Sequence, residues 1–420
     1  MNTVEDRVNL NSYVQVLQTL GRFHLLPRLQ FLYTERNEPQ LLFLGSPYLC
    51  TFRAKRDLTR NANVDHIQSF LDLLPQTSPK TQALHIRFPL QERSLHAVKR
   101  MPELQFLTLD TENTDSRLSL GVDFLTNFSS RRTLDEWFLR GNLSIAPLPA
   151  SSVSTLDFDS LTYLSFVSQK RTSIAEYTPL LRAGKFPSLE RMEVQLKVDD
   201  HTPTQSLSPT KLWRDFFKYL RSATTDSLSA IDVMIKGPTA CQVSFNDMLD
   251  LPSFNLESFE TNIFHSLSVV NLFSMLACWP ELSVFHISGV DKVTIGFSSL
   301  VEIASRFHYL EDLEIQISCA ILPTVDHVPI LLHNLETLKL WPLHLGNHIA
   351  LARWIDRIFP ELAVLNISGS PPSLKSGVGM EIQEIYEGLQ SARKDQRMRD
   401  QVSTSSTSHR GLSCNLYFID

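Results

Sequence analysis

Hydrophobic and polar positions along the chain follow one short pattern that recurs at nearly constant spacing. The pattern is clearest in WPELSVFHISG at 279–289 and FPELAVLNISG at 359–369, which share the skeleton aromatic-Pro-Glu-Leu-x-Val-x-x-Ile-Ser-Gly. Each segment contains the string L-x-x-L-x-L, in which other apolar residues can replace leucine. Alternation of apolar and polar positions with a period of two predicts a β-strand with one buried face.

The string recurs through the chain with a period near 28 residues. Eight of the nine steps between successive first leucines are 25–30 residues, and the ninth is 39. The longer leucine-rich repeats have periods of up to about 29 residues. The weakest match is the one in which Thr261 takes the last apolar place. The first leucines of the ten matches are Leu104, Leu134, Leu161, Leu189, Leu228, Leu256, Leu282, Leu310, Leu335 and Leu362.

Between the strings the apolar spacing changes to that of a helix, as a repeat of strand and helix requires. Thr210 and Asn347 are the predicted N-caps of two of these helices, because their side-chain oxygens can accept from a free backbone N–H. Upstream, weaker strands are expected around Leu32, Phe52 and Leu84. The clearest helical segments are 63–74, 209–222, 269–278, 297–307 and 348–359.

The predicted fold class is α/β, a leucine-rich-repeat solenoid (horseshoe) with a parallel sheet on the concave face and helices on the convex face. We expect a capping helix at 1–25 and about 10–13 irregular repeats over 26–370. Residues 371–420 then supply a charged helix, at 381–399, and a flexible tail. A polar insertion at 199–209 accounts for the one long step between repeats.

Strand alternation separates an inward from an outward set of side chains. The predicted core set is Leu107, Leu109, Trp137, Leu139, Leu164, Phe166, Met192, Val194, Ile231, Val233, Phe285, Ile287, Leu313, Ile315, Leu338, Leu340, Leu365 and Ile367.

The outward set suggests a protein-binding concave face, basic and aromatic in its N-terminal third and acidic at its centre. Exposed aromatic and arginine side chains are typical of interface hot spots. The alternative is that these are ordinary solvated strand positions, since apolar residues are common on protein surfaces. The candidate residues are Tyr33, Arg53, Lys55, His85, Arg87, Phe106, Phe138, Glu193, Asp232, Glu260, Asp312, Glu314, Lys339 and Trp341.

Composition narrows the partners and the compartment. The 420 residues include 39 basic and 45 acidic side chains, for a net charge of −6, which argues against a sequence-independent grip on nucleic acid. No run of about 18 apolar residues and no secretory signal is present, so we expect no membrane association and an intracellular location, cytoplasmic or nuclear. Five scattered cysteines suit free thiols in a reducing compartment.

Motifs for catalysis, cofactors or metals are missing from the sequence. It contains no G-x-x-x-x-G-K-[ST] phosphate loop and no G-x-G-x-x-G dinucleotide fingerprint. It also contains no G-x-S-x-G and no H-E-x-x-H. His333, beside a presumed helix at 328–332, is expected at the surface or as a cap, and Cys278 and Cys319 are expected as inert packing. We therefore expect no enzyme, no cofactor and no metal. A third possibility, an enzyme with its site in the 199–209 loop, would require a deep pocket lined by ionisable groups.

Several segments together resemble the leucine-rich-repeat region of fungal F-box proteins, especially the large basidiomycete group. The likeness lies in FPSLERMEV, WPELSVFHI and FPELAVLNI, and in the aromatic-rich helix LWRDFFKYL after the insertion. It spans residues 25–369. In that family a helical F-box docks on the adaptor subunit of a cullin-type ubiquitin ligase, and the repeats hold the substrate.

This chain departs from the family at its start. An L-P-x-E-[IL] opening and a C-x-x-W-[KR] ending, which an F-box would show, do not occur before the first strand. Either the gene model lacks its beginning or this is a repeat-only relative. The resemblance implies a substrate-recognition component of a ubiquitin ligase. The alternative is a leucine-rich-repeat scaffold or GTPase regulator unconnected with ubiquitin.

Overall fold

The structure, a computed structural model, divides into two compact units, residues 1–265 and residues 266–420. It describes residues 15, 19, 25–35, 39–55, 65–88, 92–111, 118–146, 156–171, 173–197, 208–236, 243–245, 248, 250–288, 292–293, 295–319, 322, 324, 329–331, 333–343, 347–367 and 378–408. The predicted capping helix at 1–25 and the insertion at 199–209 fall almost wholly outside these residues.

The first unit is built on a parallel sheet whose strands follow the chain in order. Every neighbouring pair is parallel, as stacked repeats of strand and helix require. The three weaker strands expected upstream are the first three. The strands are β1 (Phe31–Thr34), β2 (Thr51–Lys55), β3 (Ala83–Arg87), β4 (Phe106–Thr111), β5 (Glu136–Gly141), β6 (Tyr163–Arg171), β7 (Arg191–Lys197), β8 (Ala230–Lys236) and β9 (Ser258–Thr261).

Helices and short turns connect these strands on one side of the sheet. The helices are α1 (Asp65–Thr77), α2 (Glu92–Val98), α3 (Val122–Ser129), α4 (Thr178–Ala183) and α5 (Pro209–Ala223). Turns of 3₁₀ helix lie at Pro39–Phe43, Ile174–Glu176 and Leu251–Ser253. Further short strands occupy Leu118–Leu120, Leu143–Ile145, Leu156–Asp157, Gly184–Lys185, Val243–Ser244 and Phe264–Leu267.

The second unit repeats the same plan. Its parallel strands are β10 (Val284–Ile287), β11 (Asp312–Ser318), β12 (Thr337–Leu343) and β13 (Val364–Ile367), with a short strand at Lys292–Val293. Its helices are α6 (Val269–Cys278), α7 (Phe297–Arg306), α8 (His348–Ile358) and α9 (Val378–Ser408). Both units are therefore leucine-rich-repeat solenoids, which confirms the predicted fold class.

An aromatic residue three places before the first leucine marks the turn from the helix side into a strand. In the three aromatic-Pro segments, the leucine N–H donates to the aromatic residue's carbonyl: Leu189 to Phe186 at 3.3 Å, Leu282 to Trp279 at 3.2 Å and Leu362 to Phe359 at 3.3 Å. All three aromatic side chains are buried. The proline that follows each of them prevents the helix from continuing. The aromatic residue, the proline and the first leucine that the two clearest copies share are therefore structural.

The core lies between each sheet and its helices, and it contains the residues that strand alternation predicts. All ten first leucines, and every member of the inward set except Ile367, are at most 4% exposed. Ile367 is half-buried on β13, the last strand of its sheet. Thr261, the polar residue at the last apolar place of its string, is also buried. Its hydroxyl is satisfied there because it donates to the Val233 carbonyl at 2.9 Å.

The five predicted helices are confirmed, with ends shifted by no more than three residues. Of the two predicted N-caps, Asn347 is confirmed, since its side chain accepts from the Ala350 N–H at 3.0 Å. The prediction that Thr210 is an N-cap is wrong. Ser208 caps that helix by accepting from the Lys211 N–H, because Pro209 occupies the first helical position and places Thr210 inside the helix.

The expectations for the C-terminal segment, one histidine and one cysteine differ from the structure. Helix α9 continues to Ser408, beyond the predicted end at 399, because no proline or glycine interrupts that stretch. Residues 329–331 are not helical, and His333 is buried rather than on the surface. Cys319 is buried as expected, whereas Cys278 is exposed at the end of α6.

Candidate functional site

The face of each sheet opposite the core, here called the open face, carries the outward side chains in aligned rows. Register places the predicted outward residues of different strands side by side. In the first unit the central row is Tyr33, Arg53, His85, Thr108, Phe138, Ser165, Glu193, Asp232 and Glu260. In the second unit it is His286, Glu314, Lys339 and Asn366.

The N-terminal end of the row is the most exposed part. Tyr33 is 53% exposed, and the Arg53 guanidinium lies 5.7 Å from its ring centroid. The Tyr33 hydroxyl donates to Glu35, and this hydrogen bond is the main cause that raises the pKa of Tyr33. Lys55, two residues along β2, is exposed as well. An aromatic ring with two accessible cations therefore stands at this end.

Next along the row, two cross-strand pairs hold polar side chains in place. His85 Nδ1 lies 2.9 Å from Thr108 Oγ1. Burial, followed by the nearby charges of Arg53 and Arg87, lowers the pKa of His85, so this ring is neutral near pH 7. Arg87 Nε donates to Asp110 Oδ2 at 3.0 Å, and Asp110 is only 4% exposed. Arg87 is thus a structural partner of a buried carboxylate.

An aromatic contact occupies the middle of the first unit's open face. The rings of Phe138 and Tyr163 meet edge to face with centroids 4.8 Å apart, and the Arg191 guanidinium lies 5.4 Å from the Tyr163 centroid. Phe106 on β4 and Glu136 on β5, the strand of Phe138, are half-buried. Burial, and then the charge of Asp135, raise the pKa of Glu136. Two rings and an arginine are thus grouped here, of which only Phe138 belongs to the predicted set.

Glu193, predicted as part of an acidic centre, is an internal acceptor. It is 9% exposed and accepts from the Tyr163 hydroxyl at 2.7 Å, the Ser165 hydroxyl at 2.6 Å and Gln195 Nε2 at 2.7 Å. Burial and the bond to Glu193 raise the pKa of Tyr163 well above its usual range. Asp232 and Glu260, the next members of the row, are half-buried.

The second unit pairs its outward carboxylates in the same way. His286 Nε2 lies 2.9 Å from Asp312 Oδ1. Glu314 lies between two partners, with Lys339 Nζ at 3.6 Å and the Trp341 indole N–H donating at 3.1 Å. All the predicted second-unit candidates therefore belong to two small clusters on adjacent strands.

The sequence-based selection missed Tyr163, Ser165, Arg191 and Gln195, which complete the first unit's open face. A signal for them was available. Each occupies an outward place of its strand, which the period-two alternation alone identifies. Chemical motifs are sparse: among the described residues, no three His, Cys, Asp or Glu side chains are grouped so as to hold a metal ion. Burial raises the pKa of the Cys319 thiol to about 12.

Comparisons with known proteins leave the family open. No protein-family model matches the sequence, and no curated protein matches it. Within the described helices, none combines the length and apolarity needed to cross a membrane.

Similar chains do occur among solved structures, all at low sequence identity. An internalin from Listeria monocytogenes is 14% identical, with a TM-score of 0.40 over 82% of this chain and 88% of its own. The leucine-rich repeat-containing protein LegL7 from Legionella pneumophila is 13% identical, with a TM-score of 0.35 over 80% and 98%. A chain of the yeast Rad7–Elc1 complex is 15% identical, with a TM-score of 0.40 over 88% and 86%. The fold assignment rests on strand register and burial, not on these likenesses.

Proposed function

We propose that this chain is a non-catalytic protein-binding solenoid that takes its partner on the open face. One observation carries the proposal: aromatic and arginine side chains remain accessible there in aligned positions, from Tyr33 and Arg53 to the Phe138–Tyr163 contact beside Arg191. Rings and arginines supply much of the binding energy at protein interfaces. Their rotamers are restrained by cross-strand contacts, which reduces the entropy lost on binding.

Site-specific photocrosslinking tests which face binds. A benzophenone amino acid replaces Tyr33 or Phe138 on the open face, and Leu73 on α1 serves as the control because it is an exposed apolar residue on the helix side. The expected result is a discrete adduct from the two open-face positions and none from position 73. Adducts from position 73 alone, or equally from all three positions, would contradict the proposal.

The finer proposal is that the partner is a substrate and the chain a recognition component of a cullin-type ubiquitin ligase. Its support is the sequence resemblance, whose aromatic-Pro segments and insertion-flanking helix recur here as buried turn residues and α5. The partners would then be a substrate on the open face and the ligase adaptor on an F-box encoded upstream of Met1.

Co-expression with the adaptor subunit tests this finer proposal. A chain extended by the upstream coding sequence should co-purify with the adaptor in equal amounts, whereas the 420-residue chain should not. Failure of the extended chain to bind would remove the ligase function. If open-face crosslinks persisted in that case, the chain would be a scaffold or GTPase regulator unconnected with ubiquitin.

A further inference from the structure

On β2 of the first unit's open face, the exposed charge is basic. Arg53 and Lys55 are exposed, while Asp110, on β4, is 4% exposed and paired with Arg87. The half-buried carboxylates of Asp232 and Glu260 lie on β8 and β9, beyond the Phe138 and Tyr163 rings. Lys55 forms no ion pair with any described residue, and Arg53 rests on the Tyr33 ring. A partner approaching the β2 end of this face therefore meets two exposed cations. Opposite charges across an interface speed the encounter of the two partners and help to fix the register in which they bind.

An apolar anchor is formed by Phe138, in the same row as Arg53, and by Tyr163 on the next strand. The Tyr163 hydroxyl is committed to Glu193, so the edge-to-face pair of Phe138 and Tyr163 offers ring surface instead of a free donor. Between the cations and the rings, His85 and Thr108 bond to each other. The stretch separating the two features is thus neutral and internally satisfied.

Sheet geometry sets the distance between the cations and the rings. Register aligns Arg53 with His85, Thr108 and Phe138, which lie on four successive strands. Three strand spacings of about 4.8 Å give roughly 14 Å, and an extended peptide covers that distance in about four residues. A segment crossing the strands could therefore reach both features at once.

We infer that the first unit's open face binds an extended acidic protein segment, with carboxylates at Arg53 and Lys55 and a large apolar side chain about four residues away against Phe138 and Tyr163. This inference rests on the proposed protein-binding function and specifies its partner class. The carboxylates supply charge-assisted hydrogen bonds to the cations. Docking of the apolar side chain sets the register of the segment and so determines which of its carboxylates contact Arg53.

Selection from a random phage-displayed library of peptides, each about 12 residues long, tests the inference with the full chain as bait. Selected peptides should carry acidic residues about four positions from a large apolar residue. The variant Arg53→Glu/Lys55→Glu should retain at least about tenfold less of the selected phage. The matched control is Lys211→Glu/Lys218→Glu, which makes the same charge change at exposed positions on α5 and should retain phage as the wild type does.

The possible outcomes separate this inference from the proposed function. Selected peptides without acidic enrichment, or retention that ignores Arg53→Glu/Lys55→Glu, would overturn the inference. If the wild type retained phage whose peptides lack acidic residues, and Phe138→Ala did not retain them, open-face binding would stand. Only its acidic specificity would then fail. No enrichment over the uncoated surface would count against both. Circular dichroism establishes that each variant is folded.

Discussion

At the scale of single residues, Glu193 shows how an outward carboxylate can serve the fold. Its two oxygens accept from three side chains on β6 and β7, in a site that is 9% exposed. Removing one partner of such a network leaves the other polar groups poorly satisfied, which costs more than the hydrogen bonds contribute net. The outward face of a repeat strand is therefore partly a structural surface.

Replacing Glu193 with alanine should lower the free energy of unfolding by about 2 kcal/mol, because three donors lose a charged acceptor. Guanidinium denaturation followed by tryptophan fluorescence measures the loss. Glu190→Ala is the matched control, since Glu190 is exposed on the preceding turn and should change little. Equal midpoints for the two variants would show that the Glu193 network contributes no stability.

His333 gives the second unit a residue-scale dependence on pH. Its Nδ1 accepts from the Leu335 N–H at 2.9 Å and its Nε2–H donates to the Phe307 carbonyl at 2.8 Å, so the folded ring is neutral. Burial is the main cause that lowers the pKa of His333, against a smaller opposing effect of the Phe307 hydrogen bond. The unfolded state then binds more protons in acid, and stability falls as pH drops below about 6.5.

The variant His333→Gln should therefore lose less stability than the wild type between about pH 7.5 and pH 5.5, since its side chain does not titrate. Melting temperatures at both pH values give the comparison. The control His96→Gln removes an exposed imidazole on α2 of the first unit, which is not among the charges that act on His333, and should keep the wild-type slope. A His333→Gln slope equal to that of the wild type would contradict the assignment.

At the scale of elements, α9 covers α8 and the last strand of the second unit. Tyr386 is buried, and its hydroxyl lies 3.4 Å from the Phe359 carbonyl and 3.1 Å from the Leu362 carbonyl. Arg393 and Gln390 both bond to Asp356 on α8, at 2.5 and 3.0 Å. Burial raises the pKa of Asp356 in spite of Arg393. A solenoid needs such a cap where its stack of repeats ends.

Tyr386→Ala should destabilise the second unit by about 3 kcal/mol, because a buried aromatic side chain is lost at the cap. Faster amide hydrogen exchange is expected in α8 and β13. Arg397→Ala breaks only an exposed ion pair with Glu361 and should leave exchange unchanged. Unaltered exchange in Tyr386→Ala would mean that α9 does not stabilise the end of the stack.

At the scale of the whole molecule, the repeating part of the fold was predictable and the side-chain network on the open face was not. Ten leucines at near-constant spacing determine where strands lie, because each must bury its apolar face against the next repeat. The pattern also separated the inward residues, such as Trp137, from the outward ones.

The open face lay beyond this prediction for a physical reason. Whether a carboxylate such as Glu193 is free or engaged depends on residues one strand away, about 28 positions distant in sequence. Likewise, nothing in the period predicts that Tyr386 docks on turn carbonyls more than 20 residues earlier. Periodicity fixes the direction of each side chain but leaves its neighbours undetermined.

Repeats that contact mainly their neighbours should also transmit damage only locally. Leu340 is fully buried on β12 of the second unit, and Leu84 is fully buried on β3 of the first. Each truncation to alanine should cost about 2–5 kcal/mol. Hydrogen exchange should accelerate around β11 to β13 in Leu340→Ala and around β2 to β4 in Leu84→Ala, with the other unit unchanged in each case. Uniform acceleration in both units would instead show that the two units unfold cooperatively. Each variant serves as the control for the other, because each alters a different unit.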